Sequence, residues 1–374
     1  MCTGADIGDI YLPATTLTDN CYHAMFSGCK FINNIPELPA TTLAPYCYAC
    51  MFKGSNITNT PALPATTLAE GCYQEMFSEC SSLVNFPALP ATTLAKGCYQ
   101  YMFYGCESLV NAGYVLGALT AADYCYSGMF CNCTNLRTAP TLLCTTLAPY
   151  CYASMFANCI TLPTSPQLPV TTLAEGCYQY MFVGCNWMTS GTNLPATTLA
   201  PHCYQGMFKG CDGMVNASQL LPSTAIDLSE YCFSEMFMNC ENLVKVPVWY
   251  PNSLRTGCYA SMFRNCTSLT TPPHARVYCG GFVDNCYNYM YFNCNSMTSI
   301  DLSTLPSSFS TRFNRGWLGG IPFIHIYLSQ SGWEKYFSSQ SSKHTEKTAP
   351  LMGSTTNSLD DWEWPIIFHI AVAS

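Results

Sequence analysis

One motif of eighteen residues recurs along this chain, and no other feature constrains the fold as strongly. Its clearest copy is LPATTLAKGCYQYMFYGC at residues 89–106, and near-identical copies stand at residues 63–80 and 168–185. The first cysteine of the motif recurs to give eleven repeats, at intervals of 25 to 29 residues. Self-similarity at a fixed period of this length marks a stacked repeat array. The chain is therefore predicted to build one continuous array and not a series of separate globular domains.

Within each repeat, two kinds of local pattern alternate. The segment C-Y-x-x-M-F-x-x-C spaces its apolar residues so that they share one face of a helix about two turns long. A short extended piece follows, such as residues 81–90, with the apolar spacing of a buried strand and a closing Pro. The Ala-Thr-Thr-Leu stretch then turns the chain, and its hydroxyls are expected to satisfy backbone donors or to cap the helix. The predicted class is an α/β repeat.

The phrase M-F-x-G-C-x-S-L, followed by a strand, a Pro and a Thr-rich turn, resembles the BspA-like leucine-rich repeats. That family carries an [A/M]-F-x-x-C-x-x-L signature, which stands here at residues 76–83, 102–109 and 262–269 and begins at residues 25–26. The resemblance covers roughly residues 11–300. A longer unit and the extra Cys after the Thr-rich turn depart from the family pattern and indicate a divergent subgroup. The resemblance implies a horseshoe-like scaffold for surface interactions, often found on mucosal and gut bacteria, and it implies no enzyme.

The domain organisation follows from where the repeats stop. We predict a leucine-rich-repeat solenoid of about eleven 26-residue coils over residues 1–300, followed by a C-terminal cap. Residues 301–340 read as a capping repeat of the kind that closes an exposed solenoid end, and residues 341–374 as a polar linker and a terminal strand. In the last repeat, the triplet at residues 290–292 displaces the usual Phe by one position.

Most cysteines belong to the repeat, because 21 of the 26 fall in two columns that lie eight residues apart. Eight residues of helix span about 12 Å, which is beyond disulfide reach. Disulfides between neighbouring coils and metal binding are weaker alternatives, since only Cys131 and Cys133 approach the spacing of paired metal ligands. Cys commonly packs as a small buried hydrophobe. The columns are therefore predicted to form a buried thiol ladder.

The charge and the motifs that are missing argue against several functional classes. The net charge is −8, only 10% of residues are charged and no basic cluster occurs, whereas nucleic-acid binding needs a cationic footprint. No hydrolase elbow, zinc-protease or phosphate-loop motif is found, and nothing marks His274 and Cys279 as a base and a nucleophile. We expect no enzyme, no cofactor, no metal and no nucleic-acid partner.

The sequence also gives no sign of membrane insertion. The apolar run at residues 365–373 is too short to span a bilayer. The first residues show neither the basic region nor the apolar region of a secretion signal.

The best candidate for a partner-binding surface is a polar column that lies two residues after each strand anchor. In a stacked array this register forms a polar stripe, and solenoids bind partners through such extended surfaces. The alternative is an Asn/Thr ladder that satisfies backbone groups between repeats. Trp187 and Trp249 break the repeat pattern and are candidate hot spots. The column consists of Asn34, Asn59, Asn85, Asn111, Thr138, Thr164, Ser190, Asn216, Lys245, Thr271 and Ser299.

These features predict non-catalytic recognition or adhesion. The family resemblance implies a bacterial surface protein, extracellular or on the cell surface, that binds a protein or glycan of a host or of a neighbouring cell. The alternative hypothesis is a structural or receptor-binding part of a phage or similar particle. The missing signal peptide and the abundant Cys columns favour that alternative.

Overall fold

The computed structural model divides the chain into two compact units, Met1–Thr192 and Asn193–Ser374. Within each unit, neighbouring repeats pack side by side, because backbone hydrogen bonds join equivalent residues of successive repeats. The structure describes residues 10–30, 32, 34–222, 224–248, 250–270, 283, 285–302, 319–321, 324–328, 346–349 and 366–370.

The segment between the two cysteines of each repeat is a ribbon of consecutive turns, here called the turn ribbon (residues 97–106 and their equivalents). The predicted short helix is wrong, since the described residues contain no helix. In the third repeat, the Met76 N–H donates to the Tyr73 carbonyl oxygen three residues back, with an N···O distance of 3.2 Å. The next N–H, that of Phe77, donates instead to the Met102 carbonyl oxygen of the following repeat at 2.9 Å. These two kinds of bond alternate along the ribbon.

Every fourth residue of the turn ribbon has a positive φ, and this is what excludes a helix. In the third repeat these residues are Gly71, Glu75 and Glu79, with φ values of 54°, 52° and 60°. A left-handed backbone costs a non-glycine residue about 1 kcal/mol. The cost is offset because each of these residues donates its N–H to the following repeat.

The core consists of identical side chains stacked from repeat to repeat. Tyr99, Met102 and Phe103 are buried, as the Cys-Tyr and Met-Phe pairs of the ribbon turn inward and the residues between them turn outward. The ring of Phe103 stacks on Phe77 with 5.4 Å between centroids and on Phe130 with 5.6 Å. Stacked aromatic side chains bury a large apolar area and so dominate the energy of such a core.

The last repeat of the second unit keeps this pattern. Tyr291 is buried and stacks on Phe263 with 5.8 Å between ring centroids, which places it in the Phe position. The predicted displacement of the Phe column at residues 290–292 is therefore wrong. Tyr replaces Phe without any change of register.

The strand side of the repeats has much less backbone pairing than the turn ribbon. In the first unit, β1 (Val115–Leu116) and β2 (Thr141–Leu142) pair in parallel. In the second unit, β3 (Ala225–Asp227) and β4 (Tyr250–Ser253) also pair in parallel. Neighbouring repeats also meet in isolated bridges, as at Thr67 with Thr93 and at Thr120 with Thr146 of the first unit.

A four-stranded sheet follows the repeats of the second unit. Its order is β5-β6-β8-β7, with β6 parallel to both β5 and β8 and with β7 antiparallel to β8. The coil count, the capping role of residues 301–340 and the three-part domain division remain predictions. The strands are β5 (Ser299–Leu302), β6 (Ile324–Leu328), β7 (Glu346–Ala349) and β8 (Ile366–Ile370).

Candidate recognition surface

The predicted polar column, here called the polar stripe, lies at the surface of both units. Its described members from Asn34 to Lys245 are exposed, and Ser299 is half-buried. Thr271 lies outside the described residues. Where the structure describes the residue before a member, that residue is also exposed, and it is apolar at Val84, Val110, Val215 and Val244.

Backbone pairing within each unit holds parts of the stripe in register. Parallel bridges align stripe residues of successive repeats, so that their side chains project from matching positions. The bridges join Asn111 with Thr138 and Thr164 with Ser190 in the first unit, and Asn216 with Lys245 in the second.

The asparagines of the stripe use their side chains within the fold. Asn85 donates from Nδ2 to Oδ1 of Asn59 at 2.5 Å. Oδ1 of Asn111 accepts the backbone N–H two residues further along at 2.8 Å, and Asn216 does the same at 3.0 Å, as in an Asx turn. These contacts support a structural role for the asparagines.

The central hydroxyls of the stripe are different. Thr138, Thr164 and Ser190 are exposed, and their hydroxyls form no hydrogen bond within the part of the chain that the structure describes. A hydroxyl can donate one hydrogen bond and accept others. The hydrogen-bonding capacity of the stripe is therefore open to a ligand in the last three repeats of the first unit.

One of the two candidate tryptophans, Trp187, lies close to Ser190 in sequence. The Trp187 side chain is 59% exposed. Its backbone N–H donates to the Ile160 carbonyl oxygen of the preceding repeat, with an N···O distance of 3.0 Å. Ile160 is also exposed, so these two neighbouring repeats each present an apolar side chain at the surface. Trp249 lies outside the described residues.

Most described cysteines of the two columns face inward and hold little reactive chemistry, but Cys21 is exposed, so the predicted buried ladder is wrong at that position. Cys29 is disulfide-bonded, and the other described cysteines are thiols. The Cys106 thiol donates to the Phe77 carbonyl oxygen of the preceding repeat at 3.1 Å, and most repeats carry the equivalent bond. Burial raises the pKa of the Cys98 thiol to about 12. Because the thiolate is the nucleophile, these thiols are poor reagents at neutral pH.

The described residues were also searched for a metal site and for a membrane-spanning helix. In the described ranges, no group of three or more His, Cys, Asp or Glu side chains is arranged to hold a metal ion. None of those residues forms a helix long and apolar enough to cross a bilayer. The pair His274 and Cys279 lies outside them.

An exposed apolar group in the fifth and sixth repeats was not predicted from the sequence. It comprises Tyr114, Val115, Leu119 and Leu143. The signal for it was available, because Leu119 and Leu143 stand where the motif carries Thr and Pro.

The chain is similar to one known protein family and to a solved structure. The family model described as a BspA type leucine-rich repeat region (6 copies) matches residues 6–137, 48–186 and 204–316. Among solved structures, the chain is similar to a leucine-rich repeat protein from Eubacterium ventriosum ATCC 27560, determined at 2.50 Å resolution. The identity is 12% and the TM-score 0.39, over 80% of this chain and 79% of that one. No curated protein matches the chain.

Proposed function

Because the chain belongs to the BspA-type leucine-rich repeat family, we propose that it is a non-catalytic recognition scaffold. It serves adhesion at a cell surface or outside the cell, where it binds a protein or glycan of a host or a neighbouring cell. The observation that carries this proposal is the centre of the polar stripe. There Thr138, Thr164 and Ser190 are exposed and offer hydroxyls that the described fold does not use.

The division between inside and outside supports a binding role. Most of the described thiols, Met side chains and Phe side chains of the repeats are buried, and burial keeps the Cys98 pKa high. The outward positions are mainly polar and uncharged, which suits ligands recognised through hydrogen bonds. Function in such a molecule resides on its surface.

The second candidate is a structural or receptor-binding component of a phage or similar particle. The observation that favours it is the state of the described cysteines, which are thiols apart from Cys29. Proteins that mature in reducing compartments keep thiols, whereas secreted proteins rich in cysteine usually form disulfides. Proteomic detection in purified particles would support this candidate, and surface biotinylation of intact cells would support the first.

The test of binding begins with glycan and protein arrays probed with the purified chain. Thr138→Arg and Thr164→Arg should then lower the affinity for the captured ligand far more than Asn34→Arg, which lies at the edge of the stripe. The reason is that binding energy concentrates near the centre of an interface. Salt should change the affinity little, because the stripe centre carries no charge. Unchanged affinity in both central variants would contradict a role for the stripe in recognition.

A further inference from the structure

The first repeat of the first unit exposes side chains that the later repeats bury. Cys21 is exposed and Tyr22 is half-buried, whereas the equivalent Cys and aromatic side chains of the later repeats are buried. Met25 is 45% exposed, and the Met side chains at its position in the later repeats are buried. Phe26 of the same repeat is buried, so the exposed part of the core columns ends there. We call Cys21, Tyr22 and Met25, with the backbone of residues 21–27, the open edge.

The backbone of the open edge presents hydrogen-bond acceptors. Between neighbouring repeats, alternate N–H groups of the earlier turn ribbon donate to carbonyl oxygens of the later one. The Tyr22 N–H thus donates to the Cys47 carbonyl oxygen at 2.9 Å, and the Tyr48 N–H donates to the Cys72 carbonyl oxygen at 3.0 Å. The equivalent carbonyl oxygens of the first ribbon accept no hydrogen bond from the described part of the chain. They belong to Cys21, His23, Met25 and Ser27.

A stack of aromatic rings also ends at the open edge. Tyr22 stacks on Tyr48 with 5.7 Å between ring centroids, and Tyr48 stacks in turn on Tyr73 at 5.9 Å. Among the described residues, Tyr22 has a stacked ring on one face, whereas Tyr48 has one on each face. The open edge therefore combines an available ring face, a Met side chain and a row of backbone acceptors, which are the three components of the contact between repeats.

The direction of these hydrogen bonds argues against a second copy of this chain. Two open edges that faced each other would bring carbonyl oxygens against carbonyl oxygens, and these groups only accept hydrogen bonds. A head-to-tail contact would need the N–H side of the last ribbon. There the Asn293 N–H donates to the Gly319 carbonyl oxygen of its own chain at 2.8 Å. The occupant that fits is therefore a different protein with N–H donors at alternate residues.

The side-chain pattern distinguishes a turn ribbon from an ordinary β-strand as the occupant. A strand also presents N–H groups at alternate residues, but its successive side chains point to opposite faces. The turn ribbon instead buries its residues in pairs, Cys-Tyr and then Met-Phe, with two outward residues between them. An incoming segment with the same pairing places an aromatic ring against Tyr22 and a Met side chain against Met25 in one register.

We propose that the open edge receives the turn ribbon of another protein of the BspA type, so that two repeat arrays join head to tail. The incoming ribbon donates alternate N–H groups to the open carbonyl oxygens, and its aromatic ring stacks on Tyr22. The contact continues the interface that already joins the repeats of this chain. The open edge is separate from the polar stripe, and its occupant does not depend on what the stripe recognises.

The test uses the full chain and a fluorescently labelled peptide with the sequence of residues 89–106, followed by fluorescence anisotropy under reducing conditions. A second peptide carries N-methyl groups at the positions of Tyr99, Tyr101 and Phe103, whose N–H groups donate to the next repeat in the chain. The control peptide is N-methylated at the position of Ala95, whose N–H makes no backbone hydrogen bond within the described structure.

Two variants of the chain locate the contact. Met25→Asp places a carboxylate on the open edge, and Val84→Asp places one on the exposed strand side as the matched control. The unmodified peptide and the control peptide should bind the native chain and the Val84→Asp variant equally. The Met25→Asp variant should bind the unmodified peptide about tenfold more weakly, because an unpaired carboxylate would be buried against the incoming ribbon. The triply methylated peptide should bind the native chain about tenfold more weakly, because it lacks the N–H donors.

Three results would each overturn the proposal: no binding to the native chain, equal binding to the Met25→Asp variant, or equal binding of the triply methylated peptide. A dimer of the native chain in sedimentation analysis that Met25→Asp dissociates would identify a second copy as the occupant and would also overturn it. Thr138→Arg and Thr164→Arg should leave peptide binding unchanged. Failure of the peptide to bind would therefore leave the recognition role proposed for the polar stripe intact.

Discussion

The two sides of each repeat are built on different principles. On the turn ribbon, alternate N–H groups bond to the next repeat, and stacked rings lie directly beneath. On the strand side, successive repeats of the described chain meet through strands of two to four residues or through single bridges. The ribbon therefore sets the register between repeats.

The difference indicates where this fold can change without damage. A residue in the ribbon must suit both the core and a backbone with positive φ at every fourth position. An outward-facing residue of the strand side is less constrained by the core. Gly117, Leu119 and Leu143 illustrate this, since each replaces the usual Pro or Thr of the motif at such a position. Stability should therefore depend on the ribbon and specificity on the strand side.

Alkaline pH should affect the ribbon most strongly. Burial raises the pKa of Cys98 from 9.0 to about 12 in the folded chain. Between these values the unfolded chain has lost the thiol proton and the folded chain retains it, so the free energy of unfolding falls as pH rises. Three thiols with this shift, such as Cys98, Cys177 and Cys232, would together remove about 4 kcal/mol per pH unit.

Urea unfolding followed by circular dichroism, over a range from about pH 7 to about pH 11, measures this effect. The thiols should contribute no slope below about pH 8, and this part of the curve serves as the control. A flat profile across the whole range would contradict burial of the thiol columns.

Removing one ring from the core should produce the next largest effect. Phe103→Ala deletes a buried side chain that stacks on two neighbours, and such changes cost about 3–5 kcal/mol. Val110→Ala, on the exposed strand side, should cost less than about 0.5 kcal/mol. Denaturant titration gives the free energy of unfolding of both variants. Similar losses of stability would contradict the view that the turn ribbon contributes more to stability than the strand side.

A pair of glycines tests the backbone rather than the core. Gly128→Ala must place a side chain at a φ of 61° and against the Tyr101 ring, so we expect a loss of about 2 kcal/mol. Gly117→Ala should leave stability unchanged or raise it by about 0.5 kcal/mol, since it meets open space. Thermal unfolding compares the two variants, and equal tolerance would show that positive φ does not constrain the ribbon.

The smallest effect concerns one thiol hydrogen bond. Cys106→Ala removes the bond to the Phe77 carbonyl oxygen, which should cost about 1 kcal/mol. Cys131→Ala, at a half-buried position on the outward side of the ribbon, should cost less than about 0.5 kcal/mol. Urea titration measures the free energy of unfolding of both variants. If both lose the same small amount of stability, the thiol hydrogen bond contributes nothing beyond side-chain packing.

The columns of the core could be predicted from the sequence because identical spacing forces identical surroundings. Phe103 and Phe182 stand at the same position of the motif, and both are buried. The prediction of a helix was wrong for a physical reason. Nine residues are too few to distinguish an apolar pattern that repeats every 3.6 residues from one that repeats every four. Gly105 and Asn132 indicated the true backbone, because Gly and Asn are the residues that most readily adopt a positive φ. Both directly precede the second Cys of their repeat, and both have a positive φ in the structure.

The candidate site was predictable only in outline. The register of the motif predicted that residues such as Asn111 and Thr138 lie at the surface, and both are exposed. It could not assign their hydrogen bonds, because these depend on the side-chain torsions and the backbone geometry of neighbouring repeats. The exposed apolar group at Leu119 and Leu143 was missed because a consensus describes what repeats share, whereas these two leucines are departures from it.

The hydrogen bonds of the turn ribbon have a consequence for how such a gene can change. Each ribbon donates N–H groups to the following repeat and accepts an S–H from it, as Phe77 does with Met102 and Cys106. An in-frame tandem duplication of one repeat within a unit would create an interface with the same donors and acceptors. The near-identical copies at residues 63–80 and 168–185 fit such a history. Lineages can therefore lengthen the protein by whole repeats and let point mutations diversify the new outward positions.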